Sequence, residues 1–184
     1  LPPQLERAAR ILLAGGVVAY PTEAVYGLGC LPLCRDAVLR ILAIKQRAWR
    51  KGLILIAADV SQLRPLVRLP EGPMRGAVLA SWPGPVTWTL RARPGVPRWL
   101  SGGRPTLAVR VTAHPLASAL CRRAGSALVS TSANRSGHPP IKSAARLRCV
   151  LGSAVDYTLA GPLGSSAGPT EIRDGRSGTT LRSA

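Results

Sequence analysis

A chain of 184 residues with 46% apolar side chains can bury a core of its own, so it needs neither disulfides nor a metal to fold. Its 25 basic residues face eight acidic ones, for a net charge of +17, and all but the lysines at 45, 51 and 142 are arginine. No run of 18 uncharged apolar residues occurs, which excludes a membrane-spanning helix.

In chain order, residues 4–14 carry Glu6, Arg7 and Arg10 among apolar residues and predict an amphipathic helix, not a cleaved leader, ending at Gly15-Gly16. Val17–Tyr20 predicts a buried strand. Pro21–Cys30, PTEAVYGLGC, then sets Thr22, Glu23 and Tyr26 on a glycine-jointed loop, either an elaborate turn or one wall of a site. A helix is expected over Asp36–Lys45 and a fully buried strand over 53–57, LILIA, followed by weaker helical pieces over 60–68 and 73–81.

PGPVTWTL (83–90) predicts a turn and a strand, with Val86, Trp88 and Leu90 on one face and Thr87 and Thr89 on the other. TLAVRVT (106–112) repeats this alternation, and Arg110 in mid-strand needs a polar cover or an exposed sheet face. A helix over His114–Ala124, a strand ALVST (127–131), a loop SANRSGHPP, a helix over 143–151, a flexible loop over 161–168 and short strands near 155–159, 170–174 and 179–182 complete the chain. Helices interleaved with short strands place it in the α/β (α+β) class, one domain over 1–184 around a twisted mixed sheet.

The charge has two readings: attraction to nucleic acid or a nucleotide triphosphate, or a base composition that favours arginine codons, since the arginines form no run. Cys30, Cys34, Cys121 and Cys149 show no CxxC pair, so they read as reduced thiols of a cytoplasmic protein and no metal ligand is assigned. The chain lacks GxxxxGK[ST], GxGxxG after a strand and HExxH, and has only His114 and His138. With carboxylates so scarce, an enzyme of this composition would work by orienting reactants and neutralising anions. Lys45-Gln46-Arg47 closes a helix, where solvated cations are also common. Ser130, Thr131, Ser132, Asn134 and Ser136 leave a strand end, where open α/β sheets hold ligands but where plain turns also form.

PTEAVYGLGC, KQR, PGPVTWTL, LAVRVTAHP and STSANRSG stand in the order and spacing of the YrdC-like family, and residues 5–182 resemble its short, single-domain bacterial form. Its signature is matched by Lys45-x-Arg47 and Ser132-x-Asn134. The resemblance implies a twisted mixed sheet flanked by helices around a basic concave cavity. It also implies a nucleotidyltransferase that converts L-threonine, bicarbonate or CO2, and ATP into L-threonylcarbamoyladenylate and pyrophosphate. The adenylate then feeds partner proteins that threonylcarbamoylate adenosine 37 of tRNA.

By motif, Lys45, Arg47, Thr87, Ser132, Asn134 and Arg182 are expected at ATP, with Lys45 and Arg47 on the phosphates as the catalytic pair. Thr22, Arg110, Ser130 and Thr170 are expected around threonine, with Arg110 on its carboxylate and Tyr26 as a wall. Mg2+ is expected to arrive with ATP. Ala48 stands where many relatives have proline, and Ile56 where some longer ones have histidine. Two alternatives stay open: a YrdC-type domain handling carbamoyl adenylate, against which the missing CxxC pairs speak, and a non-enzymatic RNA-binding or ribosome-maturation module. Aromatic residues at 4% and the absence of phenylalanine disfavour base stacking, so RNA or tRNA is expected only as a weak accessory partner.

Overall fold

The structure is a computed structural model that describes residues 3–166 and 168–183. Helix α1 (Pro3–Leu13) buries Leu5, Ala8, Ala9 and Leu12 at helical spacing, with Glu6 and Arg10 at the ends the helix dipole favours. Gly15, at φ 83°, turns the chain into β1 (Val18–Pro21).

Strand β2 (Tyr26–Gly29) pairs antiparallel with β1, from Val18↔Gly29 to Pro21↔Tyr26. The stretch expected as one long loop is therefore half strand, and only Thr22–Val25 bridges the hairpin. Its glycines permit this because β2 is pressed between neighbours: a Cβ on Gly29 would lie 2.6 Å from the Val129 carbonyl oxygen and 2.7 Å from Tyr20.

Helix α2 (Arg35–Lys45) leads through a short 3-10 turn (Trp49–Lys51) to β3 (Ile54–Ala57). The helix expected over 60–68 is absent. Asp59 accepts from the Ser61 N–H and opens a 3-10 turn over Val60–Gln62, Pro65 has no N–H to continue it, and Val67–Arg68 form β4. Next come α3 (Gly72–Ala80), β5 (Val86–Ala92), an unexpected single-turn α4 (Arg98–Ser101) and β6 (Thr106–Val111). The chain continues through α5 (Pro115–Ala124), β7 (Leu128–Ser132), α6 (Ala144–Leu151), β8 (Tyr157–Thr158), β9 (Glu171–Asp174) and β10 (Thr180–Arg182).

The strands form one mixed sheet in the order β10-β9-β5-β6-β3-β7-β2-β1-β8, with β4 on the far end of β5. β3–β6, β5–β9 and β1–β8 run parallel and the other pairs antiparallel. Alternate residues feed two cores. Ala19, Leu55, Trp88, Val109 and Val129 enter the larger one, while Val18, Tyr20, Ile56 and Leu128 meet α1 and α5 in the smaller. Each fully buried Leu, Ile or Val contributes about 1.5–3 kcal/mol. Among the described residues no helix is long and apolar enough to cross a membrane.

Candidate active site

The loop 22–25 is closed by Thr22, whose hydroxyl donates to the Val25 carbonyl at 2.7 Å. Beside it Arg110 leaves β6 on the same side as its partner Ile56, and the polar cover it requires is Glu23. Arg110 Nη2 donates to Glu23 Oε2 at 3.0 Å and Thr112 Oγ1 to Glu23 Oε1 at 2.6 Å; all three residues are buried. Arg110 Nε is buried with no partner among the described residues.

The end of α2 splits the KxR pair. Gln46 sits at φ 50°, ψ 47°, and the N–H groups of Gln46 and Arg47 bond back to Ala43 and Leu42. This left-handed residue sends Lys45 and Arg47 to different neighbours. Lys45 is buried, and its ammonium donates to the Ser132 carbonyl (2.5 Å), Asn134 Oδ1 (2.8 Å) and the Asn134 carbonyl (3.1 Å), with Ser132 Oγ at 3.4 Å. Ser132 Oγ in turn donates to Asn134 Oδ1 at 2.6 Å. Burial, and then the charge of Arg47, pull the pKa of Lys45 down to about 8.

Among the described residues, Arg47 donates from Nη2 to the Gly52 carbonyl at 3.2 Å, and its Nε is buried without a partner. Burial, followed by the nearby guanidiniums of Arg182 and Arg104, lowers its pKa; burial and then Arg110 do the same to Arg182. The guanidiniums of Arg47, Arg104, Arg110 and Arg182 therefore crowd one another.

A cavity of about 200 Å³ opens where these pieces meet. Of the expected residues, Thr22, Arg47, Arg110, Ser130, Ser132, Thr170 and Arg182 line it. Lys45, Thr87 and Asn134 stand one layer behind. Lys45 and Asn134 shape the Ser132 loop, and Thr87 Oγ1 shares a hydrogen bond of 3.2 Å with Thr170 Oγ1. Tyr26 is not a wall of the cavity: its hydroxyl donates to the Gly161 carbonyl at 2.9 Å and accepts from the Gly161 N–H at 3.2 Å.

The stretch expected to be a flexible loop is held at several points. His114 Nε2 meets the Pro162 carbonyl at 3.1 Å, the Gly164 N–H bonds to the Thr22 carbonyl at 3.0 Å, and the Ser166 N–H bonds to the Glu23 carbonyl at 3.1 Å. Ala167 lies outside the described residues. Ala48 adopts φ −62°, a value proline would impose, so its turn has the same shape without one. Ile56 is fully buried, and its apolar side chain packs in the smaller core.

Residue reasoning left Glu23 without a role, although it is the carboxylate among the lining residues. The signal was present: one acid in a polar loop of a chain so poor in acids. Thr112 and Thr131 were also unassigned; Thr112 hides in the strand alternation beside Arg110, and Thr131 lines the cavity between two serines that were assigned.

The family model Sua5/YciO/YrdC, described as "Telomere recombination", matches residues 10–184. A threonylcarbamoyl-AMP synthase of Nitrosococcus oceani is 56% identical over 175 residues, covering 95% of each chain. The structure of P. abyssi Sua5 complexed with L-threonine superposes with a TM-score of 0.84 at 34% identity, over 92% of this chain and 50% of that one. E. coli YciO superposes equally well, TM-score 0.84 at 29% identity, over 100% of this chain and 91% of its own.

Proposed function

This chain belongs to the Sua5/YciO/YrdC family, and from that premise we propose that it is a threonylcarbamoyl-AMP synthase, joining L-threonine, bicarbonate and ATP into L-threonylcarbamoyladenylate with release of pyrophosphate. The observation that carries this reading is the cavity itself, where Arg47, Arg110 and Arg182 meet with hydroxyls from Thr22, Ser130 and Thr170. Its volume, about 200 Å³, suits a small amino acid and leaves the nucleotide to lie across the rim.

Arg110 holds the threonine carboxylate, while Thr22, Ser130 and Thr170 surround the rest of the amino acid. Arg47 and Arg182 face the phosphates together with Ser132. Lys45, Asn134 and Thr87 serve the site indirectly by fixing Ser132 and Thr170. The chemical obstacle is repulsion. A carbamate oxygen must approach the α-phosphorus in line with the departing pyrophosphate, and every reacting group is anionic. Fixed cations in a partly dry site lower that barrier, and the attacking carbamate has no proton to lose at this step.

Among the described residues no three His, Cys, Asp or Glu side chains converge as a metal site. In this scheme magnesium enters as the ion of MgATP, carried by the phosphates. The adenylate passes to tRNA-modification partner proteins.

The test is pyrophosphate release from purified protein given threonine, bicarbonate, ATP and Mg2+. We expect release that requires threonine; release independent of threonine removes the substrate assignment. In the same assay Arg110→Ala should raise the threonine KM by far more than the ATP KM, since losing a buried charged partner costs about 2–5 kcal/mol. Equal effects on both would contradict the role of Arg110.

A further inference from the structure

A free amino acid enters a site as a zwitterion, and burying it is costly unless each charge meets its opposite. The cavity offers three arginines to negative groups and one carboxylate, Glu23, to a positive one. Resting on the synthase reading above, we propose that Glu23 holds the ammonium group of the amino-acid substrate and accepts the proton its nitrogen gives up on bonding to CO2.

The Glu23–Arg110 pair is arranged for exchange. Both side chains are buried, 11% and 6% exposed, yet Glu23 takes only one donor of the guanidinium and leaves Nε unmatched. A pair kept for stability alone would close that fork, because an unsatisfied buried donor costs about 1–3 kcal/mol. An incoming zwitterion resolves the mismatch: its carboxylate takes the donors of Arg110, and its ammonium replaces Arg110 beside Glu23. Four charges then alternate in sign and none is left alone. Thr112 donates to the other oxygen, Oε1, and so leaves Oε2 as the one to be exchanged. From behind, Gly164 packs so tightly that a Cβ there would lie 2.8 Å from Glu23 Cα.

The reaction needs such a group. As the N–C bond to CO2 forms, the ammonium nitrogen loses two protons. When bicarbonate supplies the CO2 by shedding hydroxide, one proton leaves as water and the other goes to Glu23. Ammonium, bicarbonate and the Glu23 carboxylate thus become carbamate, water and the Glu23 carboxylic acid, which later reprotonates solvent. Among the described residues, the other titratable or charged groups around Glu23 are Arg47, Arg110 and Arg182 on the same cavity, His114 beside Thr112, Tyr20 on β1 and Cys121 on α5. Burial raises the Tyr20 phenol far above neutrality and the Cys121 thiol to about 12, so neither can receive this proton.

The experiment measures threonine-dependent pyrophosphate release by the full chain against pH, at fixed dissolved CO2, for wild type and Glu23→Gln. We expect the variant's kcat/KM for threonine to fall roughly 100-fold or more at neutral pH. The ratio of variant to wild type should climb about tenfold per pH unit toward the amine's own pKa, about 8 or above, because only free amine then reacts. Threonine carbamate, formed beforehand by mixing threonine with bicarbonate at alkaline pH, should restore the variant's first turnover. A ratio that stays constant with pH, at any level, overturns the proposal. If Glu23→Gln does not fold, the wild type decides: a level kcat/KM below the amine pKa supports the proposal, and a unit slope there overturns it. Wild type with no threonine-dependent release at any pH removes the synthase reading itself, and this proposal with it.

Discussion

Lys45 was expected on a phosphate, and in this structure its ammonium donates to Ser132 and Asn134. The motif spacing was legible, but which of its two cations lines the cavity was not, because that depends on the direction the chain takes at Gln46. As a clamp, Lys45 makes a sharp prediction: Lys45→Met leaves buried acceptors unpaired and should cost about 3 kcal/mol of unfolding free energy, read by urea titration. Its pH dependence has a definite sign. The pKa is lowered to about 8 in the folded chain from 10.5, so between those values the unfolded state binds more protons and stability contributed by this group rises with pH. The stability gap between wild type and Lys45→Met should therefore widen from about pH 8 to about 10.5 and be level below that range. A gap that narrows there would show that the ammonium is stabilised in its socket.

Among the elements, those with a clear apolar period were legible. The alternation Val86, Trp88, Leu90 and the valines flanking Arg110 correspond to β5 and β6, and α1, α2 and α5 lie within a residue or so of expectation. The misses at β2 and at 60–68 have separate causes. β2 is glycine-rich and reads as loop, yet it is a strand because β1 and β7 supply its hydrogen bonds. Residues 60–68 carry helical periodicity that Pro65 and pairing with β5 defeat. The end of α2 offers a test: Gln46 is exposed and left-handed, a conformation that costs a non-glycine residue about 1 kcal/mol. Gln46→Gly should raise the unfolding free energy by about that amount with pyrophosphate release unchanged; a loss of activity would show that the glutamine side chain is itself used.

At the scale of the whole molecule, the cavity draws on residues from Thr22 to Arg182. The net charge of +17 is also distributed unevenly. Arg47, Arg110 and Arg182 share the cavity, and Arg68, Arg91, Arg93, Arg98 and Arg104 line a second hollow of about 530 Å³. The last strand is a minor part of the fold and a direct part of the site, since β10 is exposed along its length while Arg182 donates to the Thr170 carbonyl at 2.8 Å. Deleting residues 178–184 should leave the thermal midpoint little changed and raise the ATP KM about tenfold or more, the worth of one charge-assisted contact. A large fall in midpoint with ATP binding intact would assign β10 to stability alone.

The order of polar motifs, the alternation of the strands and the scarcity of acids were enough to determine the fold class and the chemistry this chain is fitted for, because those features are local and survive in one dimension. What the tertiary structure decided is which side chains line the cavity and which face each other. Lys45 turns inward, Tyr26 bolts a distant loop, and Glu23 meets Arg110 across 87 residues of chain. Burial makes those choices, since a charge out of water must find a partner, and only the packed sheet determines which partner is within reach.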